Sequence, residues 1–137
     1  MIANVIVHEN YVRDCAVKST AAAEVLRVIE ERKRTQVCIP LTGLSLELCE
    51  DMPPPTDDLE LKVIGGSKWR CCTAQLFSLR KAGYRASFDD SACYDGGLTI
   101  CGLDGLSMPE VMDYVPEFRE VMFNSKGELN SIHLTAR

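Results

Sequence analysis

One short stretch has the residue types of an anion-binding turn. A strand pattern ending at Ile64 is followed by two glycines, Ser67 and Lys68, where a helical apolar pattern begins. This order leaves free backbone amides at a helix start, so Gly66, Ser67 and Lys68, assisted by Arg70, form a candidate site for a nucleotide or an anionic metabolite. The stretch matches neither GxxxxGK[ST] nor GxGxxG, and a turn from strand to helix needs glycine for backbone reasons alone. An ordinary structural turn is the preferred interpretation.

The histidines and cysteines show no spacing typical of a catalytic pair or a metal site. His8 ends a strand pattern and His133 lies near the other end of the chain, so the two are neighbours only if the terminal strands pair. Cys71 and Cys72 point about 100° apart around a helix, with no base nearby in sequence. No C-x-x-C motif occurs among the seven cysteines. We therefore predict no catalytic residue, no metal and no cofactor.

The odd number of cysteines also bears on the compartment. Without metal-ligand spacing, seven cysteines are typical of reduced thiols, so we expect a cytoplasmic protein. No apolar run approaches the ~18 residues of a membrane span, and the first residues lack the pattern of a secretory leader.

Carboxylates are the main asymmetry of the sequence. Twenty Asp and Glu against 15 Lys and Arg give a formal net charge of −5, which disfavours direct binding to nucleic acid or to an anionic membrane. Negative charges grouped along loops and strands could instead occupy the basic face of another protein. Solubility alone is the competing explanation. The candidate partner-binding residues are Glu50, Asp51, Asp57, Asp58, Glu60, Asp89 and Asp90.

These observations favour a non-enzymatic function. We predict a protein-binding or regulatory module, an inhibitor-like acidic protein whose partner has a basic surface and could itself bind nucleic acid. The alternative is a small enzyme or ligand-binding domain that holds an anion at the 66–70 stretch. No motif covers enough of the chain to name a family.

The 137 residues predict a single domain built from strands and two main helices. An apolar run over 3–7 predicts a strand buried on both faces. Helical periodicity predicts a helix over 20–34, capped by Ser19 or Thr20, and a second over 67–82 that Gly83 closes.

The remaining patterns alternate like strands. Alternation over 36–41 and 44–48 predicts a hairpin, and Pro40 places its first strand at an edge. Further strands are predicted over 59–63, 84–88 and 98–101, with 89–97 as a polar loop. A capping box at Ser107–Glu110 starts a short helix that Pro116 ends, and 121–134 is predicted to be a closing hairpin.

Together the elements predict an α+β fold: a mixed, largely antiparallel sheet of about six strands, with helices 20–34 and 67–82 on one face. A doubly wound parallel sheet is less favoured, because tight hairpins join only antiparallel neighbours. The closing strand 129–134 has no proline to guard its edge, so it should pair with strand 3–7 or with a second copy in a homodimer.

Overall fold

The computed structural model of the protein describes residues 1–96 and 107–122. Within these residues the sheet has four strands in the order β2-β1-β3-β4, and every neighbouring pair is parallel. The strands are β1 (Ile2–Val7), β2 (Val37–Leu41), β3 (Glu60–Gly66) and β4 (Arg85–Tyr94).

Five α-helices and one π-helical turn accompany the sheet in the described part of the chain. The π-helical turn, Lys68–Cys72, runs directly into α3, and the Gly66–Ser67 peptide before it is cis. The α-helices are α1 (Glu9–Ala16), α2 (Thr20–Thr35), α3 (Thr73–Lys81), α4 (Met108–Tyr114) and α5 (Pro116–Met122).

The helices cover both faces of the sheet. On one face, Val5 and Val7 of β1 pack into a core with Leu76 of α3 and Phe118 of α5. On the other face, Ile6 packs with side chains of α1 and α2, Ile29 among them. Because successive strand residues point to opposite faces, this arrangement explains why Ala3–Val7 is buried throughout, as the sequence predicted.

The predicted antiparallel sheet, with about six strands and its helices on one face, is wrong. The supposed hairpin shows why: residues 37–41 form β2, but 44–48 form no strand, and Leu44, Leu46 and Leu48 are 70%, 38% and 37% exposed. The carbonyls of Ser45 and Glu47 accept hydrogen bonds from the Gln75 side chain instead of from a neighbouring strand. An alternating pattern specifies neither a partner nor a direction.

Three other elements differ from the prediction. Helix α1 was not predicted; it has no side-chain cap and buries only Val12. Strand β4 continues through the predicted loop to Tyr94, with an irregular register opposite Val63 and Gly65. Pro116 starts α5 rather than ending helical structure, and α5 includes residues 121–122, which were predicted to be a strand. Proline suits the first turn of a helix, where its missing amide is not needed.

Several local predictions are confirmed. The Ser19 hydroxyl accepts a hydrogen bond from the amide of Ala22 at 3.1 Å and caps α2. Strand β2, which carries Pro40, lies at an edge of the sheet. Gly83 closes α3 with a φ of +96°. The predicted strand 98–101, the closing strand 129–134 with His133, and the dimer contact through that strand fall outside the described residues.

Candidate active site

The strand order reverses at the centre of the sheet. The chain passes from β1 through α1 and α2 to β2 on one side, and then returns to place β3 on the other side of β1. In parallel sheets, the crevice outside the carboxyl ends of two such strands is the usual place for a ligand. Here those ends are Val7–His8 and Gly65–Gly66.

Two backbone contacts fix His8 at this edge. Its φ of 47° and ψ of 59° are left-handed, a conformation uncommon for a residue other than glycine, and its amide donates to the carbonyl of Leu41 at 3.2 Å. The imidazole Nε2 lies 2.7 Å from the carbonyl oxygen of Gly43. Because a carbonyl can only accept, Nε2 carries a proton, and in the neutral ring Nδ1 is an acceptor.

The same imidazole interacts with the thiol of Cys71, which lies in the π-helical turn after β3. Burial of Cys71 opposes its ionisation, but the hydrogen bond with His8 and the nearby positive charges of His8 and Arg70 outweigh this effect and lower the pKa of the thiol. The same hydrogen bond, with the one to Gly43, raises the pKa of His8 despite partial burial. Both shifts favour a thiolate beside an imidazolium.

Three other cysteines differ from Cys71. Burial raises the pKa of Cys38 and Cys49, although each is only partly buried, and raises that of fully buried Cys72 well above its usual value. Cys72 points into the core and neighbours Cys93, not an imidazole. Adjacent residues therefore have opposite character, because the turn directs one thiol to His8 and the other to the interior.

The loop after β2 holds the groups that orient this pair. Gln75 is fully buried in α3, and its amide nitrogen donates to the carbonyls of Ser45 and Glu47 at 2.9 Å each. Ser78 donates to the carbonyl of Leu46 at 2.9 Å. These bonds attach the loop to the helix that follows Cys71. Gly43 and Ser45, which contact His8 and Cys71, are thereby held in place.

A cavity of about 770 Å³ opens beside His8 at the carboxyl ends of β1 and β2. Its wall includes Tyr11 from α1, Lys33 from α2 and Glu47 from the loop. Lys33 is already paired with Glu9 at 3.0 Å. The cavity is large enough for a small molecule, and His8 forms part of its wall.

The predicted anion-binding stretch is close to this pair, but its members have separate roles. Lys68 forms an ion pair with Asp90 at 2.5 Å and lies 4.5 Å from the centre of the Trp69 ring. Ser67 is buried and accepts a hydrogen bond from the amide of Gly96 at 3.0 Å. Gly66 packs against Tyr11 and Val12. Of the two cations in the stretch, Arg70 has no ion pair among the described residues.

The residues of the predicted acidic surface fall into two groups, those in ion pairs and those that are exposed. Asp89 pairs with Arg32 at 2.6 Å, Asp90 with Lys68, and Glu60 with Lys62 at 3.1 Å, so part of their charge is neutralised. Four others are exposed and lie in the long connection from β2 to β3: Glu50, Asp51, Asp57 and Asp58. Binding of a basic protein partner through these residues stays a prediction.

Sequence reasoning missed the pairing of His8 with Cys71. The two residues are 63 positions apart, and nothing in the spacing joins them. The usable signal is that His8 directly follows the buried strand β1 and Cys71 lies in the short turn after the buried strand β3, since the carboxyl ends of parallel neighbours meet at one edge. That signal has value only once the strands are known to be parallel.

Comparisons with known proteins add no relative: no family model, no curated protein and no solved structure matches this chain. Among residues 1–96 and 107–122, no group of three or more potential ligands could hold a metal ion. No helix in the same residues is long and apolar enough to cross a membrane.

Proposed function

We propose that this protein is a thiol-dependent enzyme in which Cys71 is the nucleophile and His8 is the general base. The observation that carries the proposal is that His8 has two partners, the thiol of Cys71 and the carbonyl of Gly43, which lies 2.7 Å from the imidazole Nε2. A nucleophile, a base and a group that orients the base are the three components of covalent catalysis by cysteine.

The surroundings support catalysis over a purely structural thiol. The pair lies where the strand order reverses and next to a cavity of about 770 Å³. His8 keeps an unfavourable left-handed backbone conformation, and such conformations persist where the surrounding structure imposes them, often at functional sites. A free thiol nucleophile also requires reducing conditions, which agrees with the proposed cytoplasmic location.

The chemistry that suits this pair is acyl transfer from a carboxylic amide or ester to water. The Cys71 thiol gives its proton to His8 Nδ1 while the sulfur forms a bond to the carbonyl carbon. The tetrahedral adduct then collapses: the bond to the amine or alcohol breaks, and that leaving group takes the proton from His8. Water next gives a proton to His8 and attacks the thioester, the C–S bond breaks, and the acid leaves while Cys71 regains its proton.

Alkylation by iodoacetamide, followed residue by residue with mass spectrometry, tests the pair. We expect Cys71 to react before the other cysteines at pH 7, because the thiolate is the reactive form. His8→Asn should move the pH profile of Cys71 to higher pH; asparagine tolerates the left-handed backbone at this position but is not a base. Cys49 is the matched control, since it is also partly buried and has no histidine partner among the described residues.

A second arm tests turnover. With p-nitrophenyl acetate, the protein should form an acetyl thioester on Cys71 that hydrolyses over time, and Cys71→Ala should form none. The proposal is overturned if Cys71 reacts no faster than Cys49, if His8→Asn leaves its profile unchanged, or if the acetyl group appears on other residues only.

A further inference from the structure

Gln75 is the largest polar side chain that is completely buried in the described part of the chain. Its amide nitrogen donates to the carbonyls of Ser45 and Glu47, whereas its Oε1 atom is enclosed without a hydrogen-bond partner among the described residues. The two carbonyls fix the orientation of the amide, because an oxygen in place of Nε2 would face two other oxygens. Buried polar atoms almost always have partners, so the fold retains this amide at a cost in stability.

The backbone that Gln75 holds is the turn formed by residues 44–47. The amide of Glu47 donates to the carbonyl of Leu44 at 3.0 Å and closes this turn. The side chains of Leu44 and Leu46 are exposed, so apolar burial contributes little to the position of the turn. The two bonds from Gln75 start in the core and reach two of its four residues. The position of the turn against α3 therefore depends on this amide.

Gln75 is linked to both members of the proposed catalytic pair. Gly43 leads directly into the turn, and its carbonyl oxygen lies 2.7 Å from Nε2 of His8. Cys71 precedes Gln75 by four residues in the helical segment made by the π-helical turn and α3. A displacement of the turn from α3 would therefore move the carbonyl that orients the base relative to the segment that carries the nucleophile.

We infer that Gln75 is a positioning residue, whose two hydrogen bonds hold the carbonyl of Gly43 where it orients His8 for Cys71. The inference rests on the proposed function and adds a residue that acts on the pair through the loop. Catalytic groups keep their productive geometry only when the groups that contact them are themselves fixed by packing and hydrogen bonds. The Gly43 carbonyl also favours the imidazolium, because it accepts a hydrogen bond from Nε2. Loss of the Gln75 amide should therefore weaken the thiolate–imidazolium pair while the fold persists.

Gln75→Met provides the test, because it removes both bonds and the orphaned oxygen but keeps a side chain of similar length. Removal of the oxygen offsets part of the loss of the two bonds, so the melting temperature should fall by no more than about 4 °C. The reaction of Cys71 with iodoacetamide should nevertheless be about fivefold or more slower at pH 7. Its pH profile should move to higher pH, because the thiolate is the reactive form.

Leu79→Ala is the matched control for a loss of stability. Leu79 is fully buried in α3, one helical turn after Gln75, and packs in the core. Its truncation leaves a cavity and should lower the melting temperature more than Gln75→Met does. Well below that temperature, Cys71 should keep its wild-type pH profile in this variant. A purely structural role of Gln75 predicts an unchanged profile in both variants.

Should Gln75→Met not fold, Gln75→Asn takes its place. Asparagine keeps an amide in the core but is one methylene too short to bridge both carbonyls, so it should also slow the reaction of Cys71. A wild-type profile in the folded Gln75 variant, or an equal displacement in Leu79→Ala, overturns the role of Gln75 and leaves the thiol enzyme standing. A wild-type Cys71 that reacts no faster than Cys49 overturns the enzyme itself, and this inference with it.

Discussion

Gly65 of β3 packs closely against the backbone of β1, and replacing it tests the geometry of the candidate site. It pairs with Val7 in the parallel register and has a φ of +110°. A Cβ at this position would lie 2.1 Å from the carbonyl oxygen and 2.9 Å from the nitrogen of Val7. Close-packed interiors do not tolerate such an overlap, so Gly65→Ala must separate the two strands.

Two effects lower the free energy of unfolding of Gly65→Ala. The positive φ costs about 1–2 kcal/mol for alanine. Moving the strands apart by roughly 1 Å breaks about two ladder hydrogen bonds at roughly 1 kcal/mol each and opens the packing around them. We therefore expect Gly65→Ala to lower the free energy of unfolding by about 3–5 kcal/mol, a large part of the 5–15 kcal/mol of a typical domain.

Gly83→Ala is the matched control. Gly83 also has a positive φ, +96°, but a Cβ there would meet only a side-chain carbon of Pro55 at 3.8 Å. This variant should lose about 1–2 kcal/mol, the backbone cost alone. Urea unfolding followed by the fluorescence of the single tryptophan, Trp69, measures both variants. Equal losses in the two variants would refute the close approach of β1 and β3.

Gly65→Ala should also affect function, because Gly65 holds the end of β1 against the end of β3. His8 follows β1, and Cys71 lies in the turn after β3. Gly65→Ala should therefore slow the alkylation of Cys71 in the fraction that remains folded, whereas Gly83→Ala should not.

Two further predictions concern elements away from the site. Ser19→Ala removes the hydroxyl that caps α2, and should lower the free energy of unfolding by about 1 kcal/mol in the same urea assay. Hydrogen bonds from Arg80 lower the pKa of Glu117, outweighing its partial burial. This pair therefore stabilises the fold above the unfolded carboxyl pKa, and its contribution disappears as the pH falls through the lower folded value. The stability advantage of wild type over Glu117→Gln should be constant above about pH 5.5 and shrink below about pH 4.3. An advantage independent of pH would contradict the pairing.

Local patterns in the sequence predicted local structure well. The periodicity over 20–34 and the cap at Ser19 identify α2, and the buried stripe of 67–82 appears in the structure from Trp69 to Leu79. These features depend on residues within a few turns of one another, so spacing alone reports them. Helix α1 was not predicted, because its eight residues bury only Val12 and its first turn has no side-chain cap.

The direction of the strands could not be predicted in the same way. The run Ala3–Val7 already indicated burial on both faces, which fits a sheet between two layers of helices. The alternation over 44–48 pointed instead to a hairpin, and with it to an antiparallel sheet. Its leucines are exposed in a loop that Gln75 and Ser78 hold by their side chains. The amide of Glu47 donates to the carbonyl of Leu44 at 3.0 Å, so this segment turns, and its apolar alternation does not mark an extended strand.

The sequence by itself therefore determined helix α2 and its cap, the burial of Ala3–Val7 on both faces, and the edge position of the proline-bearing strand. Only the tertiary structure brought His8 to Cys71. The physical reason is that reactivity here depends on contacts between residues distant in the chain. Parallel pairing of β1 with β3 creates those contacts, and the long crossovers that parallel strands require place the partners far apart in sequence.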